Sequence, residues 1–170
     1  AVAVGGGFVG AGASVGVAVS ENKVTNTVRA SLDGATATAG SGVTLQASET
    51  ANIEARTLGG AVAVGAGYVG IAAAGAGSNS SNQISNTVEA FVRNGAVSTP
   101  TGSISLAATD RSTIKADAGG VAAALAGGAV GVAAGVGVAI TDNQISNTIR
   151  AYTSGATLLA SSGDITLQAT

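Results

Sequence analysis

Asn82-Gln83-Ile84-Ser85-Asn86-Thr87-Val88-Glu89-Ala90 is the stretch on which the fold turns, because the chain contains it three times. It stands earlier as Asn22-Lys23-Val24-Thr25-Asn26-Thr27-Val28-Arg29-Ala30, and later as Asn143-Gln144-Ile145-Ser146-Asn147-Thr148-Ile149-Arg150-Ala151. The steps, from 22 to 82 and from 82 to 143, are 60 and 61 residues. Other landmarks keep the same step. Ala1 to Val4 returns as Ala61 to Val64, Phe8 as Tyr68, and Ile53-Glu54-Ala55 as Ile114-Lys115-Ala116. Repeats this alike are one structural unit used again. They occupy approximately residues 1–60, 61–120 and 121–170, and we take 1–170 as a single continuous segment without separate domains.

Each repeat holds three kinds of segment. In the Asn segment, Ile84, Asn86, Val88, Ala90 and Val92 share one parity, and Ser85, Thr87, Glu89 and Arg93 share the other. Period 2 with one apolar side predicts a half-buried strand. A second segment carries Ile104, Leu106 and Ala108, then Ile114 and Ala116, on its inward parity, with Lys115 and Asp117 outward. The third is an apolar run such as 130–140, with Val130, Val132, Val136, Val138 and Ile140 separated by Gly or Ala. That too is period 2, and its glycine density is hostile to helix. Asp33-Gly34, Asn94-Gly95 and Ser154-Gly155 punctuate the joins as turns. Short strands and tight turns in this unit predict an all-β parallel solenoid (a β-helix). We expect roughly three coils of about 20 residues per repeat, adding roughly 14 Å of rod.

Composition supports thin, closely stacked sheets. Gly is 27 of 170 residues and aromatics are 2%, so the large side chains that fill a globular centre are scarce. β-branched residues are plentiful and the net charge is only −2, which argues against disorder. Without Cys there is no disulfide or thiolate site, and without His the commonest general base is missing. Seven basic residues, scattered singly, do not make a nucleic-acid footprint.

The form Gly-x-Ile-x-Leu-x-Ala followed by Ile-x-Ala, at Gly102 to Ala116 and in part at Gly163 to Ala169, resembles filamentous-haemagglutinin-type repeats. The Gly/Ala/Val run before Asn-x-Ile-x-Asn-Thr-Val-x-Ala resembles the repeats of giant leukotoxin-like surface proteins of Gram-negative bacteria. This resemblance to giant repetitive adhesins implies export, a right-handed solenoid and cell adhesion.

Two motifs point elsewhere. Gly65-x-Gly67-x-x-Gly70, with Glu89 further on, imitates a dinucleotide-binding loop. Such a site needs a helix to start after the glycines, and Gly75 and Gly77 fall inside that stretch. The pattern returns at Gly5, Gly7 and Gly10 with Arg29 in the acidic place, and shifts to Gly127, Gly128 and Gly131 in the third repeat. Residues 57–81 and 118–141 carry no charge and are long enough to cross a bilayer as helices. Their Val/Gly alternation and the lack of flanking Lys/Arg clusters favour strands instead.

The candidate residues are therefore structural. Asn26, Asn86 and Asn147 fall on the inward parity, where an amide must find partners; we expect them to pin the register between coils. The alternative is a bulge with the amide in solvent. Gly131, Gly135 and Gly137 mark a flat Gly/Ala face that lets a second sheet, or a second fibre, approach closely. We expect the carboxylates to lie outward and to pair with Arg56, Arg111 or Lys115. No catalytic, cofactor or metal residues are assigned. The expected function is a stalk or laterally associating fibre on a bacterial surface or outside the cell, not an enzyme, with itself and another cell surface as partners. No nucleic acid partner and no membrane-spanning segment are expected. A carbohydrate- or ice-binding solenoid is the alternative, and a dinucleotide enzyme the remote one.

Overall fold

The computed structural model describes residues 1–170, all in strands, turns and short connections, with no helix. In chain order the strands are β1 (Val2–Gly6), β2 (Val9–Val24), β3 (Thr27–Asp33), β4 (Thr36–Thr38) and β5 (Gly42–Glu49) in the first repeat. The second repeat gives β6 (Asn52–Ala66), β7 (Val69–Ile84), β8 (Thr87–Arg93), β9 (Ala96–Thr99) and β10 (Ser103–Asp110). The third gives β11 (Thr113–Gly127), β12 (Val130–Ile145), β13 (Thr148–Ser154), β14 (Thr157–Ala160) and β15 (Ile165–Ala169). Each sheet takes one strand from every repeat: β1-β6-β11, β2-β7-β12, β3-β8-β13, β4-β9-β14 and β5-β10-β15. Pairing is parallel and sets each residue beside its counterpart in the next repeat, as in Val2 beside Val62, Val28 beside Val88, and Ile104 beside both Val43 and Ile165.

The chain is an all-β parallel solenoid. A repeat, however, is one coil of five strands, not three coils of about 20 residues. The reason lies in the register. Strand partners are separated by a whole repeat, so each repeat advances its sheets by one inter-strand spacing of about 4.8 Å, a third of the expected rise. Both charge-free runs are strand pairs: 57–81 spans β6 and β7, and 118–141 spans β11 and β12. No helix of the chain is long and apolar enough to cross a membrane.

The chain divides into two compact units, each drawing on all three repeats. The unit of 23–52, 83–113 and 144–170 wraps three sheets around Val88, Val92, Val97, Ile104 and Leu106, all buried. Val28, Leu32, Val43, Ile149 and Leu158 pack against them from the neighbouring repeats. Its turns share a left-handed position, filled by Gly34 (φ 64°), Asn94 (φ 50°) and Gly155 (φ 57°). Only Gly, and next Asn, hold that conformation cheaply.

The unit of 1–22, 53–82 and 114–143 is built on the opposite side-chain plan. Its two sheets, β1-β6-β11 and β2-β7-β12, face each other through Ala61, Ala63, Ala72, Ala74 and Ala76, backed by Ala122, Ala124 and Ala126. Between these alanines stand glycines with no room for a side chain. A Cβ on Gly12 would lie 2.4 Å from the Val64 carbonyl oxygen, one on Gly16 2.0 Å from that of Gly60, and one on Gly59 1.9 Å from that of Gly77. The sheets thus lie well inside the roughly 10 Å separation of ordinary packed sheets. Because the small residues occupy the interior, alternation sends the large ones out: Val15, Val17 and Val19 are 72, 71 and 71% exposed. The ribbon of Ile, Val and Ala that the sequence suggests is hidden holds in the first unit; here, Ile53 apart, only the Ala remains inside. Bulk predicts inwardness only where the layers are far enough apart.

Three hydroxyls, of Ser14, Thr57 and Ser78, are buried in this dry layer without a partner. Serine serves there as a residue of nearly alanine size. Ser14→Ala and Ser78→Ala are expected to raise stability by up to about 1 kcal/mol each, since a stranded hydroxyl is removed at almost constant volume. Gly16→Val or Gly59→Val is expected to cost about 3 kcal/mol or more. Urea unfolding followed by far-UV circular dichroism measures both directions.

Candidate functional site

The stacked asparagines lie where the long strands end and the chain bends, in the two-residue breaks after β2, β7 and β12. Asn86 is 1% exposed and has its polar groups engaged. Its Oδ1 accepts from the Asn26 backbone N–H at 3.0 Å. Its own backbone N–H donates to Asn147 Oδ1 at 2.8 Å. Its Nδ2 donates to Asp110 Oδ2 at 3.3 Å and to Ser112 Oγ at 3.2 Å. Each amide oxygen therefore caps the backbone of the preceding repeat, where the strand ladder breaks. Asn26 is exposed and Asn147 half-buried, the pattern expected when only the middle coil has a neighbour on both sides. The break is bulge-like, yet the amides turn to backbone and carboxylate.

Glu49 and Asp110, whose Cα atoms are paired in register, are the partners that the sequence reading missed. Asn26 Nδ2 donates to Glu49 Oε1 at 2.8 Å, and Asn147 Nδ2 to Asp110 Oδ1 at 2.8 Å. Asp110 Oδ1 also accepts from the Ser112 N–H at 2.9 Å, closing an Asx-turn. Two adjacent carboxylates are thus held by amide donors, not by Arg111 or Lys115. A signal was available: an acidic residue follows the Asn at 23 or 24 positions in two successive repeats.

A second polar column runs inside the thin unit. Asn22 Nδ2 donates to Asn82 Oδ1 at 2.8 Å, and Asn82 Nδ2 to Asn143 Oδ1 at 2.9 Å and to Ser80 Oγ at 3.1 Å. Ladders of this kind lock neighbouring coils in register as the backbone does. Charges also stack between coils. Arg29 Nε donates to Glu89 Oε2 at 2.7 Å, and Arg93 donates to both oxygens of Asp33. Of the expected cations, Arg56 meets Glu54 at 3.2 Å and Asp117 at 4.0 Å. Aromatic rings stack as Phe8 on Tyr68, with centroids 5.3 Å apart, and Phe91 on Tyr152, at 5.1 Å.

Gly131, Gly135 and Gly137 face the partner sheet of the same chain. Cβ atoms built on them would lie 3.1, 2.9 and 2.3 Å from the carbonyl oxygens of Ala126, Ala122 and Gly120. The close approach is made within the chain, where the facing sheet already stands against these glycines. A Gln at position 137 is therefore expected to destabilise the fold itself. What the thin unit does present is the Val-rich outer side of each sheet.

The remaining features do not converge on chemistry. The Gly65-Gly67-Gly70 loop runs into β7, so no helix N-terminus follows it, and Glu89 is tied to Arg29. An open cleft of about 460 Å³, lined by Ile149, Ala151, Tyr152, Arg150 and Ala169, lies along the third repeat. It exposes the apolar interior of that coil. No three acidic side chains gather at one point. Compared with protein-family models, with curated proteins and with solved structures, the chain matches none.

Two outcomes follow from the columns. Asn86→Ala strands the Asn26 N–H and unsupports Asp110, and is expected to cost about 3 kcal/mol, against about 1 kcal/mol for the exposed Asn26→Ala. Chemical denaturation of the two variants gives the comparison. The hydrogen bond from Arg93 holds the Asp33 carboxyl below its ordinary value of 3.8. A depressed folded value means the pair contributes above the unfolded value of 3.8 and is lost as pH falls through the folded one. The small difference in unfolding midpoint between the wild type and Arg93→Gln is therefore expected to be larger at pH 7 than at a pH well below 3.8.

Proposed function

We propose that the chain is a structural and adhesive segment of a bacterial extracellular or cell-surface fibre, acting as a stalk or as a filament that associates sideways. The observation that carries this reading is like-on-like stacking. Every strand is hydrogen-bonded to its own counterpart one repeat away, so the two edges of each sheet are complementary templates for a further copy. Asparagine, aromatic and ionic columns follow the same rule. An architecture whose copies bind each other through shared edges elongates by adding repeats. The motif resemblance to exported repetitive adhesins supports placement outside the cell. What the outer faces add is extended apolar surface without convergent catalytic groups, which suits contact more than turnover.

A series carrying three, six and twelve copies of the repeat tests the reading. Contour length in electron micrographs is expected to grow linearly, by about 4.8 Å per repeat. Growth into particles of constant proportions would overturn it.

A further inference from the structure

Each end of the chain carries one half of an interface that the chain already makes twice between its own repeats. Ile104 and Leu106 of the middle repeat are 0% exposed, with β5 on one side and β15 on the other. Their counterparts Ile165 and Leu167, on the edge strand β15, are 45 and 42% exposed. The cleft over Ile149, Ala151 and Ala169 belongs to the same open edge. An edge of this kind is a template for a further strand.

The hydrogen-bonding groups left over at the two ends are opposite in kind. In one column each Asn Oδ1 accepts from the backbone N–H of the repeat before it. The third repeat therefore ends on the Asn147 N–H, a donor, and the first begins on Asn26 Oδ1, an acceptor. In the other column Asn22 Nδ2 donates to Asn82 Oδ1, and Asn82 Nδ2 to Asn143 Oδ1. That leaves Asn143 Nδ2 as donor at one end and Asn22 Oδ1 as acceptor at the other.

We propose that a second copy of this chain stacks end to end on the first, its first repeat taking the place of a fourth coil, and that two like-charge pairs make this joint salt-dependent. The proposal rests on the fibre reading and names the partner of its open edges. Continuing the register sets Val28 and Ala30 of the second copy beside Ile149 and Ala151, and Val43 and Leu45 beside Ile165 and Leu167. The leftover amide acceptors meet the leftover donors. The strands of the first repeat have 5, 16, 7, 3 and 8 residues. Their edge is roughly 130 Å long and about 8 Å deep, on the order of 1,000 Å² per copy, above the roughly 800 Å² of a standard stable interface.

Charge opposes the fit at two places. Along the column next to Asn22, Asn82 and Asn143, Glu21 of one copy stands beside Asp142 of the other. Along the column of Arg29, Glu89 and Arg150, Arg29 stands beside Arg150. Inside the chain Ser81 and Glu89 separate these residues, and only the joint brings them together. All four are exposed, so their repulsion weakens the contact without abolishing it. At 1 M salt, where the Debye length is about 3 Å, most of that repulsion is screened.

Sedimentation of the 170-residue chain from about 10 µM to about 1 mM is expected to show reversible association. It should strengthen between about 0.02 M and about 1 M NaCl, with electron micrographs showing particles that lengthen at constant width. Glu21→Lys alone, or Asp142→Lys alone, turns a like pair into an opposite pair and is expected to tighten association at low salt roughly fivefold. Glu21→Lys/Asp142→Lys recreates a like pair and is expected to return to the wild-type value. Asp164→Lys changes net charge equally but meets Gly42 across the joint, and is expected to shift association less than about twofold. Urea midpoints near that of the wild type confirm that the variants fold. Should a lysine variant unfold, Glu21→Gln and Asp142→Gln replace it, with a smaller gain in the same direction. A double reversal as tight as the single ones, an Asp164→Lys as tight as either, association that weakens with added salt, or a chain monomeric throughout would overturn the proposal. None of these outcomes alters how contour length grows with covalently joined repeats, so the joint and the fibre reading fail separately.

Discussion

In one half of this molecule, carbonyl oxygens of each sheet sit where side chains of the facing sheet would have to be. That closeness governs what the rest of the repeat can contain. Along most of the interlayer it admits only small residues, Gly, Ala and Ser with Thr57, as Gly12, Gly16, Gly59 and Gly137 show by the contacts a Cβ would make. Strand alternation then sends Val, Leu and Ile to the surface along these strands, with Ile53 at the start of β6 the buried exception. The usual relation between hydrophobic size and burial is inverted by geometry, not by polarity. The other unit, with three sheets around a wider centre, returns to the ordinary relation, with Val88, Ile104 and Leu106 inside.

Register is held by several independent devices. Backbone ladders run through every strand, and where they break the asparagine amides take over, passing from Asn26 to Asn86 to Asn147. A one-residue slip would pull each amide from its acceptor and move every side chain to the opposite face. Amide donors also resolve a difficulty created by stacking like on like: Glu49 and Asp110 lie side by side, and the asparagines beside them supply the donors.

Much of this was legible in the sequence. Repeat length, strand character and parallel stacking followed from the recurrence of Asn82 to Ala90 and from period-2 alternation. The inward parity of Val88, Ile104 and Leu106 was equally plain. The number of coils per repeat was not, because turn signals mark strand ends without saying which strands pair. Pairing distance is a tertiary property, and the 60-residue step is compatible with one coil or with several. The destination of the valines was hidden for a related reason. A run such as Val136-Gly137-Val138 states that its two faces differ, and only the distance to the next layer decides which one is covered. Glu49 and Asp110 were overlooked because a carboxylate near arginine or lysine invites an ion-pair reading before an amide one.

Near-identity among neighbouring copies carries a hazard that the charged columns address. Identical repeats would stack Arg on Arg or Asp on Asp, and they would be interchangeable. Here Arg29, Glu89 and Arg150 alternate in sign along one column, and Asp33 is followed by Arg93 in another. If the first copy skipped the second and settled on the third, cation would face cation. Small differences between otherwise redundant segments thus encode their order, so that a chain of look-alike pieces assembles in the sequence in which it is synthesised.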